Sequence, residues 1–441
     1  MAKTYDTYKD SGIAWIGKIP SEWKVCRIKN SASLYTGNSI KDEEKDYYTD
    51  YKNARPYIAT KDIDATYLSA NYENDLYIKT GDSKFRVAPK NSSLVCIEGG
   101  SAGKKKAFLE QEVSFVNKLC CFAPNKTIVG KYLFHFLCSP NFEDIFSSKI
   151  TGLIGGVNIP SLKDINCVLP SIEEQQTIAT FLDKKCSEID SLISLQEEMI
   201  SEFQAYKQSV ITEAVTKGLD PKVKMKDSGV EWIGEIPEGW NTQKLRTLGW
   251  TQNGISQSGD YFAEGFPYPF VSYPDVYKNY SVPYPVGRAN STEEDRKRFS
   301  LIEGDVLFTR TSETIEEIGF ASTCLDTIPD AVYSGFLIRF RPSTDKLYKG
   351  YSQYYFRSQI HRAYFVKEMN LVTRASLNQD LLKNLVVLLP SIDEQKYIAN
   401  YLNTKSQQID TLIAIKQEKI QELKDYKKSV IYEYVTGKKK V

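Results

Sequence analysis

The sequence predicts an α/β (α+β) fold: two globular domains separated by two long antiparallel coiled-coil helices, the halves related by a pseudo-twofold internal repeat. Three observations predict it. The phrase "KDSGIAWIGKIPSEW" at Lys9 returns as "KDSGVEWIGEIPEGW" at Lys226, 217 residues later. A longer stretch beginning "LPSIEEQQTIATFLDKK" at Leu169 returns 220 residues later as "LPSIDEQKYIANYLNTK" at Leu389. The intervening blocks keep a common outline but lose most identities, so each half is a variable block followed by a helical block.

The elements divide as residues 1–168, a first domain; 169–218, a first helical spacer; 219–388, a second domain; and 389–441, a second spacer. Within the domains, short β-branched or aromatic runs bounded by Gly, Pro and Asn read as strands. "RPYIATKDI" from Arg55 corresponds to "YPFVSYPDV" from Tyr268, and "LVCIEGGSAG" from Leu94 to "LFTRTSETIE" from Leu307. "GKYLFHF" from Gly130 and "GYSQYYF" from Gly350 read as a matching helix.

Each spacer opens with a capping box, Ser171 with Glu174 and Ser391 with Glu394, directly after a proline that ends a strand-like run. Apolar residues then recur at heptad spacing: Leu182, Ile189, Phe203 and Val210 in one row, Leu192, Met199 and Tyr206 in the next. The second spacer repeats the register as Leu402, Ile409, Leu423 and Val430 with Leu412 and Tyr426, the seam of a coiled coil interrupted at Gln196, Lys416 and Lys419. Because the first helix hands the chain to the second domain and the second helix receives it there, the two helices run antiparallel. A helix from Ile172 to Val215 spans roughly 65 Å.

Composition narrows the function classes. Lys plus Arg (57) nearly cancels Asp plus Glu (56), so any polyanion partner must be met by local patches. Eight cysteines are too few for a disulfide framework, and none has zinc-site spacing, so they are expected as buried thiols. No apolar run reaches the length of a membrane span, which makes a cytoplasmic protein the expectation. "GGSAGKKK" from Gly99 lacks Walker spacing, GxGxxG is absent, and His135 and His361 have unlike counterparts across the repeat, so no catalytic constellation is expected.

Nucleic-acid contact is better supported. Lys104, Lys105 and Lys106 follow glycines that permit close backbone approach, and Arg296, Lys297, Arg298 and Arg310 flank the matching stretch of the second half. The candidate DNA-contact residues are Gly99, Gly100, Ser101, Lys104, Lys105 and Lys106 with Gly155, Gly156 and Asn158 in the first domain. In the second they are Arg310, Ser312, Arg374, Ser376 and Asn378, within the loops Arg310 to Ser312 and Thr373 to Asn378. Exposed helix positions beside the seam, Gln175, Lys207, Gln395 and Lys427, are the candidate partner contacts.

Over essentially its whole length the chain resembles the specificity subunits of type I restriction-modification systems. The resemblance rests on the doubled Trp15–Pro20 and Trp232–Pro237 phrase, the doubled "LPSIEEQ" and "LPSIDEQ" helix start, and the block order. It implies that each variable block is a target recognition domain reading one half of a split, asymmetric DNA sequence, with the helices setting the gap. It further implies two modification subunits carrying S-adenosylmethionine and a restriction subunit using ATP and Mg, the present chain holding no cofactor or metal and doing no chemistry. A stand-alone two-headed DNA-binding regulator and a non-DNA interaction scaffold are the alternatives.

Overall fold

The computed structural model describes residues 4–152, 155–256, 265–312, 318–368 and 375–441. The chain divides into two compact units, Met1–Glu198 with Gln417–Val441, and Met199–Lys416. The two long helices, α1 (Ile172–Lys217) and α2 (Ile392–Val435), each contribute one half to one unit and one half to the other.

The first unit is built on the antiparallel sheet of β1 (Ala32–Thr36), β2 (Ser93–Cys96), β3 (Lys106–Phe108) and β4 (Leu119–Pro124), in the order β3–β2–β4–β1. The second unit repeats this with β5 (Gly249–Asn253), β6 (Val306–Thr309), β7 (Ala321–Thr323) and β8 (Leu337–Pro342), ordered β7–β6–β8–β5. In both, the third strand in sequence lies at one edge and the first at the other. Each unit adds a smaller sheet holding one parallel pair, Ala54–Ile58 beside Val113–Phe115 in the first and Tyr268–Val271 beside Val332–Tyr333 in the second. The expected matching helix is present in both, at Gly130–Leu137 and Lys349–Tyr355.

The doubled tryptophan phrase has a structural explanation. It forms a short antiparallel pair, Tyr8–Asp10 with Lys18–Pro20, and again Met225–Asp227 with Glu235–Pro237. The following tryptophan plunges into the core: Trp23 and Trp240 are each 1% exposed. A buried indole N–H needs an acceptor, and Trp23 Nε1 donates to Glu174 at 3.1 Å while Trp240 Nε1 donates to Glu394 at 3.0 Å. This corrects half of the expected capping box. Ser171 and Ser391 accept from the N–H groups of Glu174 and Glu394 at 3.2 and 3.3 Å, as a cap should, but the glutamates turn to the indoles. In the first unit the end of α2 closes the same cluster: Gly437 has φ +71°, and a Cβ there would stand 2.3 Å from Pro20 Cδ.

Within each unit the two helix segments run antiparallel. Phe181 packs on Tyr434 with 4.5 Å between ring centroids in the first unit, and Asp190 faces Lys427; in the second, Lys207 faces Asp410. Of the expected seam, Leu182, Ile189 and Val210 of one row and Leu402, Ile409 and Val430 of its repeat are buried, while Phe203 and Leu423 of the same rows are half-buried. The other row is not: Leu192, Tyr206, Leu412 and Tyr426 are exposed and Met199 is half-buried, and Cys186, Ile193 and Ala214 take the buried places. Positions three and four residues beyond a buried one lie on opposite sides of its row, and the globular blocks cover the side four residues on.

Candidate nucleic-acid interface

At one end of the first unit's main sheet, three segments distant in sequence are tied by backbone hydrogen bonds. Beyond β2, the Ile97 N–H donates to Lys118 O at 3.0 Å and Ile97 O accepts from Val157 N at 2.9 Å. Gly99 N donates to Gly155 O at 2.8 Å, and Glu98 bridges Gly156. The expected loops, Gly99–Lys106 and Gly155–Asn158, are thus neighbours. Gly99 and Gly100 have open space where a side chain would project, so a partner can approach the backbone.

The second unit rebuilds the junction on the same frame. Arg310 N donates to Phe336 O at 2.9 Å, Arg310 O accepts from Leu377 N at 2.7 Å, and Thr311–Ser312 pairs with Ala375–Ser376. Ile97, Lys118 and Val157 therefore correspond to Arg310, Phe336 and Leu377. Arg374 lies outside the described residues, as do the side chains of Ser312 and Ala375. Ser376 is exposed.

The three lysines of the first loop have different fates. Lys104 is exposed in the loop between β2 and β3. Lys105 Nζ donates to Thr60 O at 2.8 Å. Lys106 is a correction: its side chain is 1% exposed, because it begins β3 and turns inward to Glu143, 2.8 Å away. Asn158 and Asn378 use their side-chain oxygens as helix N-caps, each accepting at 2.8 Å, from Ser161 N and Leu381 N.

The four expected partner contacts are not the exposed helix positions expected. Gln175 is 1% and Gln395 0% exposed. Gln175 accepts from Val129 N and donates to Thr127 O and Pro170 O, while Gln395 makes the matching bonds to Tyr348 N, Lys346 O and Pro390 O. Each locks α1 or α2 to the loop before the matching helix by satisfying that loop's partly buried backbone groups. Lys207 and Lys427 sit half-buried in ion pairs with Asp410 and Asp190, at 2.7 Å.

Two other expectations concern titratable groups. His135 is buried with Nε2 2.8 Å from Asp183, and His361 is buried with Nε2 3.1 Å from Tyr355 O. Burial, aided by the nearby Arg362 charge, pushes His361 down to about 3. Seven cysteines are buried, but Cys26 is only half-buried; it faces Cys167 across paired strands, sulfur to sulfur 3.2 Å, and that neighbour holds its thiol below the usual value. Among the described residues no group of three or more His, Cys, Asp or Glu is placed to hold a metal ion, and no helix is long and apolar enough to cross a membrane.

Against known proteins, the Type I restriction modification DNA specificity domain matches residues 20–199 and again 237–425. The Type I restriction enzyme MjaVIII specificity subunit of Methanocaldococcus jannaschii is 25% identical over 452 residues, covering 96% of this chain and 94% of that protein. The EcoKI specificity subunit of Escherichia coli is 25% identical over 429 residues, covering 90% and 86%. Among solved structures, a chain from work on complex assembly and conformational transition of the type I R-M system aligns with TM-score 0.71 at 17% identity, over 95% of this chain and 98% of that one. The HsdS subunit from Thermoanaerobacter tengcongensis aligns with TM-score 0.50 at 18% identity and the same coverage.

Proposed function

The chain belongs to the family of type I restriction modification DNA specificity proteins, and from that premise we propose how its parts divide the work. It is the sequence-reading subunit of a type I restriction-modification complex. Each unit reads one half of a split, asymmetric DNA target through the junction of three segments described above. Gly99, Gly100, Ser101, Lys104 and Lys105 with Gly155 and Gly156 present the first contact surface; Arg310, Ser312 and Ser376 present the second. Backbone amides and lysines position the duplex by its phosphates, and side chains facing out of the junction read base edges. The observation that carries this reading is one backbone frame occurring twice with unlike side chains: Ile97 against Arg310, Lys118 against Phe336, Gly156 against Ser376.

The chemistry resides in partners: two modification subunits that bring S-adenosylmethionine, and restriction subunits that use ATP and Mg. Two equivalent partners need two equivalent docking sites. Leu192, Leu195 and Tyr426 are 47%, 49% and 57% exposed in the first unit, close in sequence to the Asp190–Lys427 pair. Their repeat counterparts Leu412, Ile415 and Tyr206 are 42%, 52% and 55% exposed in the second. Apolar side chains left in water at matching places in both halves suit burial under a subunit that binds twice.

The test is a block exchange. Replacing residues 25–168 by the corresponding block of a relative changes one half of the methylated motif and preserves the other, read by methylome sequencing of the host. A change in both halves, or in neither, rejects the division of labour.

A further inference from the structure

The junction in each unit includes a segment that neither its composition nor its position in the sequence marks as a contact: the turn just before β4 or β8. Its backbone is held firmly. Leu119 N donates to Val116 O at 3.1 Å and Leu337 N to Ser334 O at 3.0 Å, closing the turn, while Lys118 O and Phe336 O accept from Ile97 N and Arg310 N. In the second unit a Cβ on Gly335 would stand 2.7 Å from Ile255 O, so the turn also packs tightly against the segment after β5. The side chains at the tip are the opposite of held. Phe336 is 62% exposed, and the Lys118 side chain is exposed and makes no hydrogen bond or ion pair among the described residues. A pinned backbone carrying an outward side chain is the arrangement that reads a ligand with little ordering cost.

Lys118 also stands near the lysine loop: its carbonyl accepts from Ile97 N, while the adjacent Cys96 N donates to Lys105 O at 2.9 Å. Phe336 stands directly beside Arg310, through the backbone bond above. Resting on the DNA-reading role proposed above, we infer that the tip of this turn touches DNA, Phe336 against a base in the second unit and Lys118 against a phosphate in the first. The difference in chemistry follows from the side chains. A phenyl ring has no donor or acceptor and gains by contact with a thymine methyl in the major groove, which depends on sequence. An ammonium gains from a phosphate whatever the sequence, and releases a counterion in doing so.

The experiment uses the full chain co-expressed with its modification subunits, after its target has been read from the methylome. Affinity for cognate and random duplexes is measured over a salt series for the wild type, Phe336→Ala, Phe336→Lys and Lys118→Ala, each shown by thermal melting to be folded. Phe336→Ala is expected to weaken cognate binding roughly five- to a hundredfold while leaving random-duplex binding within about twofold. Phe336→Lys shares the loss on cognate DNA and steepens the salt dependence. Lys118→Ala weakens both duplexes alike and makes the negative slope of log K against log salt shallower by about 0.9. If the wild type prefers its cognate duplex and the three variants match it in affinity and slope, the inference is overturned. If the wild type itself shows no preference, the DNA-reading role falls, and this inference with it.

Discussion

The amine of Lys427 lies 2.7 Å from both carboxylate oxygens of Asp190, and at the matching place in the repeat Lys207 meets Asp410 at 2.8 and 2.7 Å. Each pair joins α1 to α2 within one unit, with the lysine side chain only 16% or 14% exposed. A long apolar seam can slip by a whole heptad without exposing new surface; a half-buried charge pair resists the slip, since it separates the two charges. Removing Asp190 or Asp410 is therefore expected to destabilise its unit by about 0.2–1 kcal/mol, less at Asp410, whose side chain is 58% exposed, than at Asp190, 29% exposed. A double-mutant cycle, Asp190→Ala with Lys427→Ala in urea unfolding, should give a coupling energy on the order of 1 kcal/mol. A coupling indistinguishable from zero would make the pair ornamental.

The tryptophan clamp gives a second prediction. Glu174→Ala and Glu394→Ala each leave a buried indole N–H without its acceptor, at a cost of about 1–3 kcal/mol. The first loses more, because Glu174 also accepts from Tyr5 Oη at 2.7 Å, and the residue at the matching place in the second half is Lys222. Thermal melting of the two variants should rank them in that order.

His361 makes the second unit sensitive to acid. Burial holds its folded value near 3, well under the value of about 6.5 it has when unfolded. Between those limits the unfolded chain binds more protons, so stability falls as pH drops from 6.5 toward 3 and is unaffected by this group above 6.5. His361→Gln should flatten that part of the curve of melting temperature against pH. An unchanged slope would assign the acid sensitivity elsewhere.

The docking sites proposed for the partner subunits predict a stepwise loss. Tyr426→Ala with Leu192→Ala should remove one modification subunit from the purified complex, and Tyr206→Ala with Leu412→Ala the other, with all four abolishing assembly while the free chain still melts normally. Native mass spectrometry counts the subunits directly. Full occupancy in the fourfold variant would place the docking surface elsewhere.

Much of this architecture is legible in the residues alone. A proline followed by a Ser cap marks both helix starts at Ile172 and Ile392, because capping is a local matter of the first turn. The duplication is legible because two long matching phrases require no knowledge of contacts. The resemblance to a family rests on the same phrases. What could not be read is which of two adjacent apolar residues is buried. Ile189 is followed by Leu192 and Ile193; the former is exposed and the latter buried, and periodicity leaves both sides of the row open until a globular block covers one of them.

The same limit governs the site. Sequence alone determined that the two halves share a frame and differ in their loops, and it picked two of the three segments that meet at each junction. Only the tertiary structure decided that Gln175 and Gln395 serve loop backbones 46 and 47 residues away, that Lys106 is held by Glu143 while Lys104 stays in solvent, and that Lys118 and Phe336 stand at the junctions. The reason is physical: caps, turns and periodicity act between near neighbours in the chain, whereas burial and the partner of a charge are settled by residues that folding brings from far away.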